Sequence, residues 1–69
     1  VSVNGQHLSE RERIVLSHLI QGLTQVEISR EMGISVNGVK KHLSNIYTKL
    51  GARNRADAIY IATSNSLIQ

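Results

Sequence analysis

Residues 35–55 contain five cations, Lys40, Lys41, Lys49, Arg53 and Arg55, and no acid. Interleaved with them are Asn37, Ser44 and Asn45, short side chains that carry hydrogen-bond donors and acceptors. These types suit recognition and charge neutralisation. Lysine can donate to guanine O6 and N7, asparagine can pair with adenine N6 and N7, and any cation offsets a phosphate. The flanks are different. Residues 1–34 hold three arginines against four glutamates, and residues 56–69 add one acid, Asp57. A run of one sign between balanced flanks is the footprint expected for a polyanion, and a solubilising surface is the plainer reading of the same charge.

Catalytic chemistry finds little support. The segment GISVN at 33–37 approaches a G-x-S-x-G nucleophile elbow but ends in Asn37 and follows no strand. His7, His18 and His42 lack ligand spacing, and without cysteine there is neither a thiolate metal site nor a disulfide. Glu10, Glu12, Glu27 and Glu31 fall in helix first turns or on a polar face. No catalytic residue, metal, cofactor or small-molecule ligand is expected in this domain.

The elements that would position the basic segment are marked by punctuation. SERE (Ser9, Glu12) and TQVE (Thr24, Glu27) are capping boxes, NRAD (Asn54, Asp57) is a looser one, and Ser35 is an N-cap in its own right. Gly22, Gly33 and Gly51 each follow an apolar-periodic segment. The spacing predicts helices at about 9–21, 24–32, 35–50 and 54–65. Their apolar stripes are Val15, Leu16, Leu19 and Leu23, then Ile28 and Met32, then Val36, Val39, Leu43, Ile46 and Leu50, then Ala58, Ile61 and Ala62. The fold class expected is all-α, four helices around one core, within 69 residues. Residues 8–69 form the domain and 1–7 a linker or extension. No apolar run approaches the roughly 20 residues of a membrane span. Neither a signal peptide nor cysteine is present, so a cytoplasmic setting is expected. The chain begins at Val1 without methionine and reads as a piece of something longer.

Met32-Gly33-Ile34-Ser35 leaves about three residues between helices 2 and 3, as in a helix-turn-helix. Rotating helix 3 by ~100° per residue from its buried stripe puts Asn37, Gly38, Lys41, Asn45 and Thr48 on the opposite face, with Lys40 and Ser44 on its flanks. Asn37, Lys40, Lys41, Ser44 and Asn45 are therefore the candidate base readers, chiefly those in the N-terminal half. Candidate phosphate contacts are the amides at Thr24, Gln25, Ser35 and Val36, with Thr48, Lys49, Arg53 and Arg55 further along. His42 reads either as a phosphate donor or as a half-buried packing residue. Gly38 is unexpected, because a glycine inside a helix costs about 1 kcal/mol relative to alanine.

The run from Leu8 to Ile59 resembles the LuxR-type (GerE/FixJ-like) DNA-binding domain of bacterial transcription regulators. The resemblance is carried by LSERE at 8–12, GLTQVEIS at 22–29, GISVNGVKKHLSNI at 33–46 and KLGARNRADA at 49–58. It implies a four-helix domain, a helix-turn-helix over roughly 24–43, and double-stranded DNA as partner. Lys40, Lys41 and Ser44 would face the major groove. It further implies a homodimer on an inverted repeat, with helix 4 as the contact through Ala56, Ile59, Tyr60 and Thr63, and RNA polymerase as a further partner. The family commonly has a polar residue where Ile14 stands, which points Ile14 at a neighbouring domain, and threonine or serine where Gly38 stands. Gly38 is then either a bare spot for close groove approach or a tolerated loss of the hydroxyl. The rival from another class is a helical protein-interaction module, sigma-factor-like or an adaptor. Lysine is depleted at the centres of such interfaces.

Overall fold

Each helix begins where a short polar side chain takes over an orphan amide. Ser9 and Thr24 accept from the amides of Glu12 and Glu27 at 3.1 and 3.2 Å, and the two carboxylates accept in return from the Ser9 and Thr24 amides, both at 2.8 Å. These reciprocal caps open α1 (Glu10–Ile20) and α2 (Gln25–Met32) in the computed structural model, which describes residues 2–3 and 6–64. Ser35 opens α3 (Val36–Leu50) with half of that device: its hydroxyl accepts from the Gly38 amide, and no carboxylate stands at the third helical position. Asn54 precedes α4 (Arg55–Ser64) and accepts from the Asp57 amide. The Asp57 carboxylate reaches past it to the Arg53 amide. The four expected helices are present, their ends shorter by at most one residue because the caps lie outside the helical bonding. Residue 65 lies outside the described residues.

Gly33 and Gly51 end α2 and α3 at φ of 66° and 71°, a left-handed conformation that glycine adopts without a Cβ penalty. The next residue bonds back in each case, Ile34 N–H to Ser29 O at 3.0 Å and Ala52 N–H to Tyr47 O at 2.8 Å. Ahead of α1, β1 (Ser2–Val3) and β2 (Gln6–His7) pair antiparallel, with Ser2 opposite His7 and Val3 opposite Gln6. Hydropathy gives no sign of this ribbon within 1–7, since two-residue strands are too short to alternate.

The buried core takes Val15, Leu16 and Leu19 from α1, Ile28 from α2, Val39, Leu43, Ile46 and Leu50 from α3, and Ala58 and Ala62 from α4. Leu8, in the extended residues before α1, joins them although helical periodicity could not include it. Val36, Leu23, Met32 and Ile61 are half-buried rather than enclosed.

Two polar tethers fix α1 at its ends. At the start, Lys49 Nζ lies 2.7 Å from Glu12 Oε1, joining the last turn of α3 to the first turn of α1. At the other end, Arg55 Nη2 donates to Leu23 O at 2.9 Å and Leu19 O at 3.3 Å, placing a cation on the last turn of α1 and the connection that follows it.

Burial alone pushes the Glu12 carboxyl up. The Lys49 hydrogen bond, the Ser9 amide and the Lys49 charge together outweigh it and hold the group below the ordinary glutamate value. A lowered folded pKa means that this contribution is complete above the unfolded carboxylate range and is lost as pH falls through the folded value. Glu12→Gln is expected to cost about 1–3 kcal/mol at neutral pH and to flatten the acid-side fall in stability. Urea unfolding of both proteins from neutral to acid pH checks this, and identical acid dependence would remove Glu12 from the account.

Candidate nucleic-acid interface

The turn Gly33-Ile34-Ser35 sets α3 against α2, with Ile34 packed on the core. With Val39, Leu43, Ile46 and Leu50 held inside, Asn37, Lys40, Lys41, Ser44, Asn45 and Thr48 are exposed on the other side of α3. Each stands on a helix rather than a loop. Thr48 spends its hydroxyl hydrogen on Ser44 O at 3.0 Å. His42 and Val36 are half-buried at the margins of this face.

The cations separate into two groups. Lys49 is drawn in by Glu12, its side chain only 27% exposed. Arg55 is turned onto the Leu19 and Leu23 carbonyls and is half-buried. Both were expected at phosphates; in the fold each of these charges also has a partner within the molecule. Arg53 pairs loosely with Asp57, Nε to Oδ2 at 3.5 Å, and its side chain remains 87% exposed. Lys40 and Lys41 have no ion-pair partner among the described residues. The most open of the five cations are thus Lys40 and Lys41 on the exposed face and Arg53 beyond its far end.

Helix starts separate in the same way. The Thr24 amide is not available to a ligand, since Glu27 occupies it. The bonds from the Thr24 amide and then its hydroxyl lower the pKa of Glu27, against a smaller effect of burial, so α2 opens on a carboxylate. The Gln25 amide is next to that charge. By contrast, α3 has no acid in its first turn, and the positive end of its dipole is left uncompensated. Ser35 and Val36 head that turn.

Gly38 does not need to be glycine for backbone reasons, as it is absent from the positive-φ residues. An added Cβ would lie 3.4 Å from Ser35 Oγ and 3.6 Å from Ile34 Cδ1, ordinary contacts. On α4, Ala56, Tyr60 and Thr63 are exposed and Ile59 is half-buried, with Tyr60 69% exposed. Ile14 and Val26 are also exposed. Val26, in the first turn of α2, has no sequence signal that marks it, being one apolar residue among polar ones.

Comparison with known proteins agrees with this geometry. The family described as bacterial regulatory proteins, luxR family (GerE), matches residues 6–62. Transcriptional regulatory protein YdfI of Bacillus subtilis is 38% identical over 65 residues, 94% of this chain and 30% of YdfI. The crystal structure of the response regulator ChrA of a heme-sensing two-component system superposes with a TM-score of 0.87 at 44% identity, over 91% of this chain and 31% of ChrA. The dimer of VqmA from Vibrio cholerae, a LuxR-type receptor, superposes with a TM-score of 0.85 at 32% identity, over 87% of this chain and 27% of VqmA. The chain therefore spans less than a third of each of these proteins.

Two substitutions separate fold from interface. Arg55→Ala is expected to lower stability by about 1–3 kcal/mol, the worth of hydrogen bonds to a charged group. The salt dependence of DNA binding should stay unchanged; a shallower salt slope would return Arg55 to the phosphate contacts. Gly38→Ala is expected to raise stability by about 0.5–1 kcal/mol, read by thermal unfolding, and a destabilised variant would show that the Ser35 cap cannot tolerate the added methyl.

Proposed function

The chain belongs to the luxR family of bacterial regulatory proteins, and we propose on that premise that it docks α3 in the major groove of duplex DNA as the output domain of a transcription regulator. The observation that carries this reading is the pair Lys40 and Lys41. They stand exposed on the face opposite the buried stripe, beside Asn37, Ser44 and Asn45, while Lys49 and Arg55 are engaged within the fold.

In this reading Asn37, Lys40, Lys41, Ser44 and Asn45 meet base edges. The amides at Ser35 and Val36 receive a phosphate at the open end of the α3 dipole, and Gln25, His42, Thr48 and Arg53 lie at the flanking backbone. A second copy binds through α4, with Ala56, Ile59, Tyr60 and Thr63 at the contact, so that two reading helices address an inverted repeat. VqmA, itself a dimer, supports a two-copy assembly. RNA polymerase is the further partner, and the cytoplasm is the setting. Among the described residues no helix is long and apolar enough to cross a membrane. Residues 8–69 serve as the domain and 1–7 as its leading extension. The interaction-module alternative is not favoured, and no catalytic role is assigned.

Duplex binding measured across salt concentrations tests the reading. Affinity is expected to fall with a log–log slope of about −0.9 for each phosphate neutralised; a flat response would end it. Lys41→Ala should weaken the specific site by about 1–3 kcal/mol and non-specific DNA much less. Equal losses would make Lys41 a phosphate contact instead of a base reader.

A further inference from the structure

Asn37 is followed directly by Gly38 in the first turn of α3. The side-chain amide carbon of an asparagine is an electrophile close to the next backbone nitrogen, and a residue without Cβ obstructs that approach least. We propose that Asn37–Gly38 is a self-modification site, at which the domain exchanges a neutral amide for a carboxylate on the exposed face of α3. The Gly38 nitrogen, its proton passed to solvent base, attacks Asn37 Cγ and forms an N–C bond. The tetrahedral centre collapses as the side-chain nitrogen is protonated, the old C–N bond breaks and ammonia leaves, giving a five-membered succinimide. Water then adds to a ring carbonyl and opens the ring. Cleavage at Cγ leaves aspartate, and cleavage at the backbone carbonyl leaves isoaspartate, with the chain running through the side-chain carboxyl. One water is consumed, one ammonia is released, and nothing is oxidised or reduced.

The structure restrains this reaction through one bond. The Gly38 N–H donates to Ser35 Oγ at 3.0 Å, and the helical backbone at Asn37 turns the same nitrogen away from Cγ. Ring closure therefore needs the first turn of α3 to open. That turn is less secured than those of α1 and α2, whose third-position glutamates close a second bond to the cap. Asn37 is exposed, and among the described residues no hydrogen bond holds its amide. Helix ends are where local opening is cheapest.

The signs of the consequence differ. An aspartate at this position suits the positive end of the helix dipole, so the fold survives, while the new charge is brought against a polyanion and opposes binding. Isoaspartate adds a backbone atom and breaks the first turn. The effect on DNA rests on the reading of α3 proposed above; the bond chemistry does not.

Incubation at mildly alkaline pH, followed by peptide mapping and isoaspartyl methyltransferase labelling, tests the site and resolves it from Asn4–Gly5, the other such step in the sequence. Position 37 is expected to convert in the native chain, more slowly than in urea. Ser35→Ala should convert about fivefold faster, as the lost cap frees the Gly38 amide. Gly38→Ala, which keeps the cap, should suppress conversion. Circular dichroism establishes that Ser35→Ala is folded; if it is not, the comparison of parent with Gly38→Ala decides. No conversion at 37 while the urea-unfolded chain converts, or equal rates in parent and Gly38→Ala, overturns the proposal. Separately, Asn37→Asp is expected to bind duplex DNA about tenfold more weakly at low salt, with the gap closing as salt rises. If position 37 converts but Asn37→Asp binds as the parent does at every salt, the modification site stands and the placement of residue 37 against DNA fails.

Discussion

The carboxylate of Glu12 joins local structure to tertiary structure at a single atom. Its Oε1 accepts from the Ser9 amide, which starts α1, and from Lys49 Nζ, which lies at the end of α3. A side chain only 6% exposed would be costly as an unpaired anion, and Lys49 would be costly without it. The pairing therefore fixes where α3 ends relative to where α1 begins. Arg55 does the corresponding work beyond the far end of α1, donating to the Leu23 carbonyl and sharing the Leu19 carbonyl with the Gly22 amide. With α1 held at both ends, α3 packs against it on the core and leaves its outer face to solvent.

That economy also sharpens the electrostatics. Two of the five cations in the acid-free segment neutralise charge or carbonyl dipoles inside the molecule, so they contribute little field outside. What remains outward is concentrated at Lys40, Lys41, Arg53 and the start of α3, whose dipole no first-turn acid compensates. An anion approaching this surface meets no carboxylate in the first turn of α3, whereas it meets Glu27 at the start of α2. The electrostatic difference between the two helix starts thus lies in which has a third-position glutamate and which has Gly38.

Much of this was legible in the residues because its causes are local. Ser9, Thr24 and Ser35 each act within three positions, so their spacing alone announces a helix start. The 3-and-4 spacing of Val39, Leu43, Ile46 and Leu50 selects one face of α3 and thereby the opposite one. The burial of Leu8 and the internal partners of Lys49 and Arg55 were missed for the contrary reason. Leu8 belongs to no helical period, and the partners of Lys49 and Arg55 stand 37 and 36 or fewer positions away. The β1–β2 ribbon escaped because two residues per strand carry no period.

The sequence by itself determined the four helices, their caps and turns, the buried stripe of α3 and hence its exposed polar face. These follow from interactions between residues five positions apart or fewer, and their geometry is the same in any fold. Only the tertiary structure decided which cations are free to act on a partner. A lysine is a candidate for a ligand only after the fold has declined to use it, and that choice depends on which distant acids and carbonyls the packed helices bring within about 3 Å. Lys40 and Lys41 were left outward, and Lys49 and Arg55 were taken in.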